Sequence, residues 1–262
     1  MVWISAVIWP RPLQIARLRG GAGAGRFQHS EWAALLSRFA GDAGVDYQNF
    51  ARVRRLVEVY LSRLAEIDPE TFADADDQLA FYLNAYNAVA VHQVLQHYPV
   101  DSIRLIPGAF TRPYAIGRRN VALHGLHAHI LRAFGDPRIH VAICPTARSA
   151  PQLQLFTGPG LQRELDVALQ TFLADPLRGC RFDEATNTLY LSSIFRWFGG
   201  DFVQPHAMPN WTQFSWNWLQ PELIVHVLQP YFPATITSML QTRSWTLRWQ
   251  PFNWQLNDVL PL

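Results

Sequence analysis

The sequence predicts an α+β fold: a single helix-rich domain with a small β-sheet. Three observations carry that expectation. Helical periodicities outnumber alternating ones, and the few strand-like patterns do not alternate regularly with the helices. A long segment, Gln78 to Val100, reads as one helix without a single Asp, Glu, Lys or Arg. With 262 residues and 49% hydrophobic content, the chain can also bury a substantial core.

The elements follow in order. Gly20 to Gly25 is a Gly/Ala linker, so residues 1–26 are expected to form a flexible arm and residues 27–262 the domain. Ser30 can cap a helix to Phe39 that turns Trp32, Leu35, Leu36 and Phe39 inward, and Gly41 and Gly44 end it. From Asn49 to Ala65, Val53, Leu56, Val57, Tyr60, Leu61 and Leu64 recur at helical spacing. Asp68-Pro69 opens a short helical turn, and Asp74, Asp76 and Asp77 then complement the dipole at the start of the uncharged helix. Tyr98-Pro99 stops that helix, and a loop from Pro107 to Asn120 carries Arg112, Arg118 and Arg119. Val121 to Phe134 is expected to be helical, at least from Leu126. A strand is expected over Arg138 to Cys144, with Ile139, Val141 and Ile143 on one face and His140, Ala142 and Cys144 on the other. Beyond it come a helix over Leu161 to Leu173, a strand over Thr188 to Leu191, and a turn of helix from Ser193 to Phe198 closed by Gly199-Gly200. The C-terminal third is rich in Trp and Pro, with helices from Pro221 to Gln229 and near Ala234 to Gln241.

Composition excludes several chemistries. All 22 basic residues are arginine, so Schiff-base catalysis and a lysine-dependent phosphate loop are ruled out. A formal net charge of +2 gives no general field for nucleic acid or anionic lipid, and neither partner is expected. Cys144 and Cys180 belong to no C-x-x-C pair and suit a reducing compartment. The apolar stretch Met1 to Pro10 lacks a basic flank and is cut short by Pro10 and Pro12, and the uncharged helix contains Asn, Gln and His. Neither a leader nor a membrane span is expected, and the protein is expected to be cytoplasmic.

The uncharged helix frames the functional question. Asn84 and Asn87 lie with Ala88, Val91, Val94 and Leu95 on its apolar side, while His92, Gln93 and Gln96 gather opposite. A buried carboxamide costs about 1–3 kcal/mol if left unpaired. Both amides must therefore meet either the backbone of a neighbouring loop or a ligand in a cleft.

Four segments resemble the domain of unknown function 547 family: AFYLNAYNA (Ala80 to Ala88), DPRIHVAI (Asp136 to Ile143), LYLSSIFRWFGGDF (Leu189 to Phe202) and FNWQLN (Phe252 to Asn257). Weaker echoes extend the similarity from about His29 to Asn257. The resemblance also implies departures. Family members usually carry cysteines where this chain has Pro145 and Ala150, an Ile-Glu-His triplet where it reads Leu126, His127, Ala128, and Asp where it has Asn253. These departures fall on reactive groups, which implies a divergent member.

The candidate chemistry is sparse. Cys144 could be a nucleophile, and His140 its base, but four residues of strand would separate them by roughly 13 Å, far beyond proton-transfer distance. A partner for Cys144 would then have to be remote, such as His124, His127 or His129. Those three histidines lack a ligand pattern, so no metal and no cofactor are expected. Asn84, Asn87, His140, Arg148 and Ser149 form the expected ligand-binding set. Trp197, Asp201 and the C-terminal tryptophans, which include Trp211, Trp216 and Trp218, are expected mainly to pack. The leading reading is a non-catalytic or degenerate family member that binds a small polar ligand or peptide in a cleft beside the Asn84/Asn87 helix. Its rivals are a thiol-dependent hydrolase or transferase and a protein-interaction module.

Overall fold

A computed structural model describes residues 25–203 and 221–259. Nearly all of the expected arm, and Trp211, Trp216 and Trp218, lie outside the described residues. The fold is α+β, with helices predominating over small sheets.

Helix α1 (Ser30–Phe39) buries Trp32, Leu35, Leu36 and Phe39, the apolar stripe its spacing demands. Its cap is His29, one residue before the expected Ser30. A two-residue hairpin, β1 (Ala40–Gly41) and β2 (Gly44–Val45), leads into α2 (Tyr47–Arg52) and α3 (Arg54–Glu66). The single helix expected here is thus two. They are broken at Val53, whose φ of −114° is not helical. Leu56, expected inward, is 53% exposed: on α3 it lies about 100° round the helix from Val57, off the buried stripe of Val57, Tyr60, Leu61 and Leu64.

Helix α4 (Ala75–His97) is the axis of the molecule, with Asp74 capping its start by accepting from the Asp76 amide. Every residue from Asp77 to Leu95 is buried. The expected division into apolar and polar faces is therefore corrected: His92 and Gln93 are as enclosed as Val91. Helices α2, α3 and α6 (Leu161–Ala174) and the helical run from α5 (Leu123–Gly125) to Phe134 pack around it. From Gln78 to Leu95 the helix has no solvent-facing side and nowhere to put a charge, which accounts for the composition of that stretch.

The arginine-bearing loop contains an unforeseen hairpin, β3 (Tyr114–Ile116) and β4 (Arg119–Val121). Gly117 and Arg118, with φ of 60° and 59°, make its two-residue turn, the handedness that fits strand twist. Beyond Phe134 comes the main correction. Residues expected as a strand form a 3-10 helix, Pro137–Val141, with Asp136 as cap and Pro137 in its first turn. Proline cannot donate to a ladder but suits a first helical turn, and tertiary packing overrides the alternating pattern. Ile139 joins the core around α4 while Val141 joins a second core, so this turn lies between the two.

The second core fills the space between α7 (Ser193–Val203), α8 (Pro221–Leu228) and a three-stranded sheet. In that sheet β5 (Cys180–Asp183) pairs antiparallel with β6 (Thr188–Ser192), and β7 (Thr246–Gln250) adds parallel to β6. Gly199-Gly200 does not close α7, which runs through to Val203. Helix α9 (Ala234–Thr242) precedes β7.

The C-terminal segment then crosses back to the first core. The Val45 amide donates to the Asn257 carbonyl at 2.9 Å and the Val259 amide to Val45 at 3.1 Å. Gly44 makes this crossing possible: at φ +131°, a Cβ there would lie 2.4 Å from the Asn257 carbonyl oxygen. Gly44→Ala is expected to lower unfolding stability by about 2–4 kcal/mol in urea titration. Gly41→Ala, where a Cβ meets open space, should stay close to wild type.

Candidate functional site

Asn84 and Asn87 are fully buried, and each carboxamide pairs with backbone as a peptide group would. Asn84 accepts from the Phe156 amide at 3.1 Å and donates to the Phe156 carbonyl at 2.7 Å, with a second donation to Ala80. Asn87 donates to the Ala142 carbonyl at 3.1 Å and accepts from the Cys144 amide at 2.8 Å. One turn of helix thus grips both ends of the irregular segment 142–156. Of the two partners the sequence allowed for these amides, a neighbouring loop is the one they meet.

Arg148 and Ser149 hold the C-terminal segment to the same loop. Ser149 Oγ accepts from the Asn253 amide at 2.9 Å, its own amide donates to the Asn253 carbonyl, and Arg148 Nε reaches the Leu256 carbonyl at 3.4 Å. Asn84, Asn87, Arg148 and Ser149 therefore share one frame. His140 does not join it.

Cys144 belongs to the frame's interior. Its sulfur is buried, takes a 3.6 Å hydrogen bond from Asn257 Nδ2, and Asn257 in turn accepts from Tyr47. Burial pushes the thiol up to about 11. A thiol nucleophile needs an exposed sulfur within reach of a base, and no histidine hydrogen-bonds this one among the described residues. The arginines of the 107–120 segment also have local partners: Arg112 on the Pro107 carbonyl, Arg118 on the Glu66 carbonyl, and Arg119 on Glu70.

His140 instead centres a chain of ionisable groups. Its Nε2 lies 2.8 Å from Asp201 Oδ2 and its Nδ1 lies 2.9 Å from His127 Nε2. Arg132 binds Asp201 with two donors, Nε at 2.7 Å and Nη2 at 2.5 Å. Four elements converge here. The 3-10 turn supplies His140, α7 supplies Asp201, a wide π-helical turn (Leu126–Ile130) supplies His127, and the 3-10 turn after it supplies Arg132. Phe198, one turn before Asp201 on α7, stacks on the His140 ring at 4.1 Å with 4° between planes and also meets His127 edge-on.

The charges set the proton positions. Burial opposes ionisation of Asp201, but hydrogen bonds from His140 and Arg132 outweigh it and hold the carboxyl down at about 2. Burial lowers the pKa of His140 against the opposing pull of Asp201, and burial together with the charges of His140 and Arg132 puts His127 well below its ordinary value. Both rings are therefore neutral at pH 7. A carboxylate can only accept, so the His140 proton sits on Nε2 and its Nδ1 accepts from His127 Nε2–H. Nδ1 of His127, a half-buried ring, is left with a lone pair.

From the sequence, His127 is only a remote partner for Cys144 or one of three histidines without a metal-ligand pattern, and Asp201 is grouped with the packing tryptophans. The Gly-Gly-Asp at 199–201 was the available signal, since an acid beside small residues in an aromatic segment must find a buried partner. Beside the relay, Trp197, Phe252 and Trp254 form a shelf, with Trp197 5.2 Å from Phe252 and Phe252 4.6 Å from Trp254. These rings are partly exposed rather than sealed in the core, Trp197 by 38%. Among the described residues, no group of three His, Cys, Asp or Glu is placed to hold a metal ion, and no helix is long and apolar enough to cross a membrane.

Residues 70–173 match the family model described as "Protein of unknown function, DUF547", which supports the chain's place in that family. The match takes in α4, the clamped loop, His127 and His140, while Asp201 lies beyond it. No curated protein and no solved structure matches the chain.

Two outcomes follow from this geometry. Asn87→Ala strands the Ala142 carbonyl and the Cys144 amide and should cost on the order of 2–4 kcal/mol in equilibrium denaturation. In the folded chain His29, His92, His127 and His140 are all held below their ordinary value, chiefly by burial, His29 at about 4. The unfolded chain therefore binds more protons below pH 6.5, and stability falls as pH drops through that value. Melting temperature should decline from pH 6.5 towards 4.5 and be flat above 7; a curve that is level or rises towards acid contradicts this assignment.

Proposed function

We propose that the chain is a general acid–base enzyme of hydrolytic type, working on a small substrate in the cytoplasm, with Nδ1 of His127 as its working group. The observation that supports this reading is the chain Arg132–Asp201–His140–His127, which ends in a half-buried imidazole with an unshared lone pair. A proton taken up at Nδ1 makes His127 cationic, and the charge is stabilised through His140 by the Asp201 carboxylate. Asp201 and His140 act through His127 and are positioning residues. Arg132 holds Asp201 ionised and in place, and by its own charge keeps the relay weakly basic.

A weak base regenerates easily, because its conjugate imidazolium is a strong enough acid to protonate a leaving group. The polar groups of Asn84, Asn87, Arg148 and Ser149 are spent on backbone, so on this reading they support the site from behind instead of touching a ligand. Two free, buried cysteines are in keeping with a reducing compartment.

The test is hydrolysis of chromogenic substrates by wild type, His127→Gln and Asp201→Asn, each checked for folding by circular dichroism. His127→Gln should lower kcat/KM by about 10²–10⁴-fold. For wild type, kcat/KM should rise with pH to a plateau below neutrality. Asp201→Asn should move that inflection to lower pH and reduce kcat, since the imidazolium loses its counter-charge. A folded His127→Gln variant with wild-type rates defeats the reading.

A further inference from the structure

Tyr86 is a polar group beside this site that nothing yet explains. It lies on α4, one residue before the clamping Asn87, and its ring meets His127 edge-on with centroids 6.3 Å apart. The residue is 4% exposed. Two other enclosed tyrosines spend their hydroxyls, Tyr47 on Asn257 and Tyr60 on His29, and the partly buried Tyr98 donates to Asp258. The Tyr86 hydroxyl makes no hydrogen bond among the described residues; Tyr82, enclosed and likewise without a hydrogen bond there, has its hydroxyl beside Gly117. Buried tyrosines normally find a partner for that group. Burial, with a smaller contribution from Cys144, raises the pKa of this phenol, so it stays protonated and available as a donor.

Resting on the reading of His127 as a base, we propose that the Tyr86 hydroxyl is the oxyanion donor of the same site and that the substrates are carboxylic esters carrying a flat apolar group. Water loses a proton to His127 Nδ1 as its oxygen bonds to the ester carbonyl carbon. The carbonyl π pair moves onto oxygen, where the Tyr86 O–H stabilises it. The pair returns, the C–O bond to the alcohol breaks, and the departing alkoxide takes the proton back from His127. Products are the acid and the alcohol, and no other reactant is needed.

The surroundings favour esters over the alternatives. Glycoside hydrolysis uses a pair of carboxylates across the scissile bond, whereas the relay offers one, Asp201, already bound by Arg132 and His140. Phosphoryl transfer calls for cations on the transferring oxygens, and Arg132 directs its charge at Asp201 while the chain has no lysine. Phe198 meets His127 edge-on and Trp197 lies against Phe198, so the two rings supply a surface for the flat group of the ester.

The experiment compares p-nitrophenyl acetate, phenyl acetate and methyl acetate with p-nitrophenyl phosphate and p-nitrophenyl glucoside, using the full chain and the variants His127→Gln, Tyr86→Phe and Trp197→Ala. Ester hydrolysis dependent on His127 is expected, with neither phosphate nor glucoside cleaved. Tyr86→Phe should lower kcat about 10²-fold with little change in KM, and Trp197→Ala should raise KM for phenyl acetate more than for methyl acetate. If Tyr86→Phe keeps the wild-type kcat, or if His127-dependent turnover appears only on phosphate or glucoside, the ester assignment falls while the acid–base reading stands. If no substrate is turned over, or if His127→Gln is fully active, both fall.

Discussion

The fold depends on two carboxamides that act as peptide groups inside it. Asn84 and Asn87 sit one helical turn apart on a helix with no exposed side, and each completes a donor–acceptor pair with a chain segment that has no ladder of its own. Without them the backbone at Ala142, Cys144 and Phe156 would be buried without partners, a cost comparable with a large part of a domain's net stability. The clamp at Ala142 and Cys144 also fixes the end of the 3-10 turn that carries His140. The position of one imidazole is thus set by an amide that never touches it.

That arrangement separates support from chemistry. The loop side of α4 is closed by backbone pairing and by the C-terminal segment crossing Val45, Thr146 and Ser149. Ionisable groups collect elsewhere, between the two hydrophobic cores, where α7 and the helical run after β4 meet. Low exposure there strengthens every electrostatic interaction. The Arg132–Asp201 pair is sustained because the carboxylate also receives His140, and the two rings remain neutral because burial disfavours a second cation beside Arg132.

Much of this was legible in the sequence, and the limits have physical causes. The absence of charge from Gln78 to the end of α4 points to an enclosed helix, and two amides on its apolar side point to specific partners. Caps at Asp68 and Asp74 and the stop at Tyr98-Pro99 follow from local chemistry, which neighbours do not alter. The residues after Asp136 misled because apolar alternation over a few positions is equally compatible with a short turn wedged between two cores. Proline at the first position was the better guide. The break at Val53 and the passage of α7 through Gly199-Gly200 were set by packing, and local propensity gives no sign of either. The relay was hidden for a different reason. His127, His140 and Asp201 are far apart in sequence and share no motif, so only the fold brings their side chains together.

The most direct measurement is the protonation and tautomer of the histidine rings by nitrogen-15 NMR of the imidazole side chains at pH 7. The account requires both His140 and His127 to be neutral and to carry their proton on Nε2, with Nδ1 of His127 unprotonated. A cationic His140 at neutral pH, or a His127 proton on Nδ1, would contradict it.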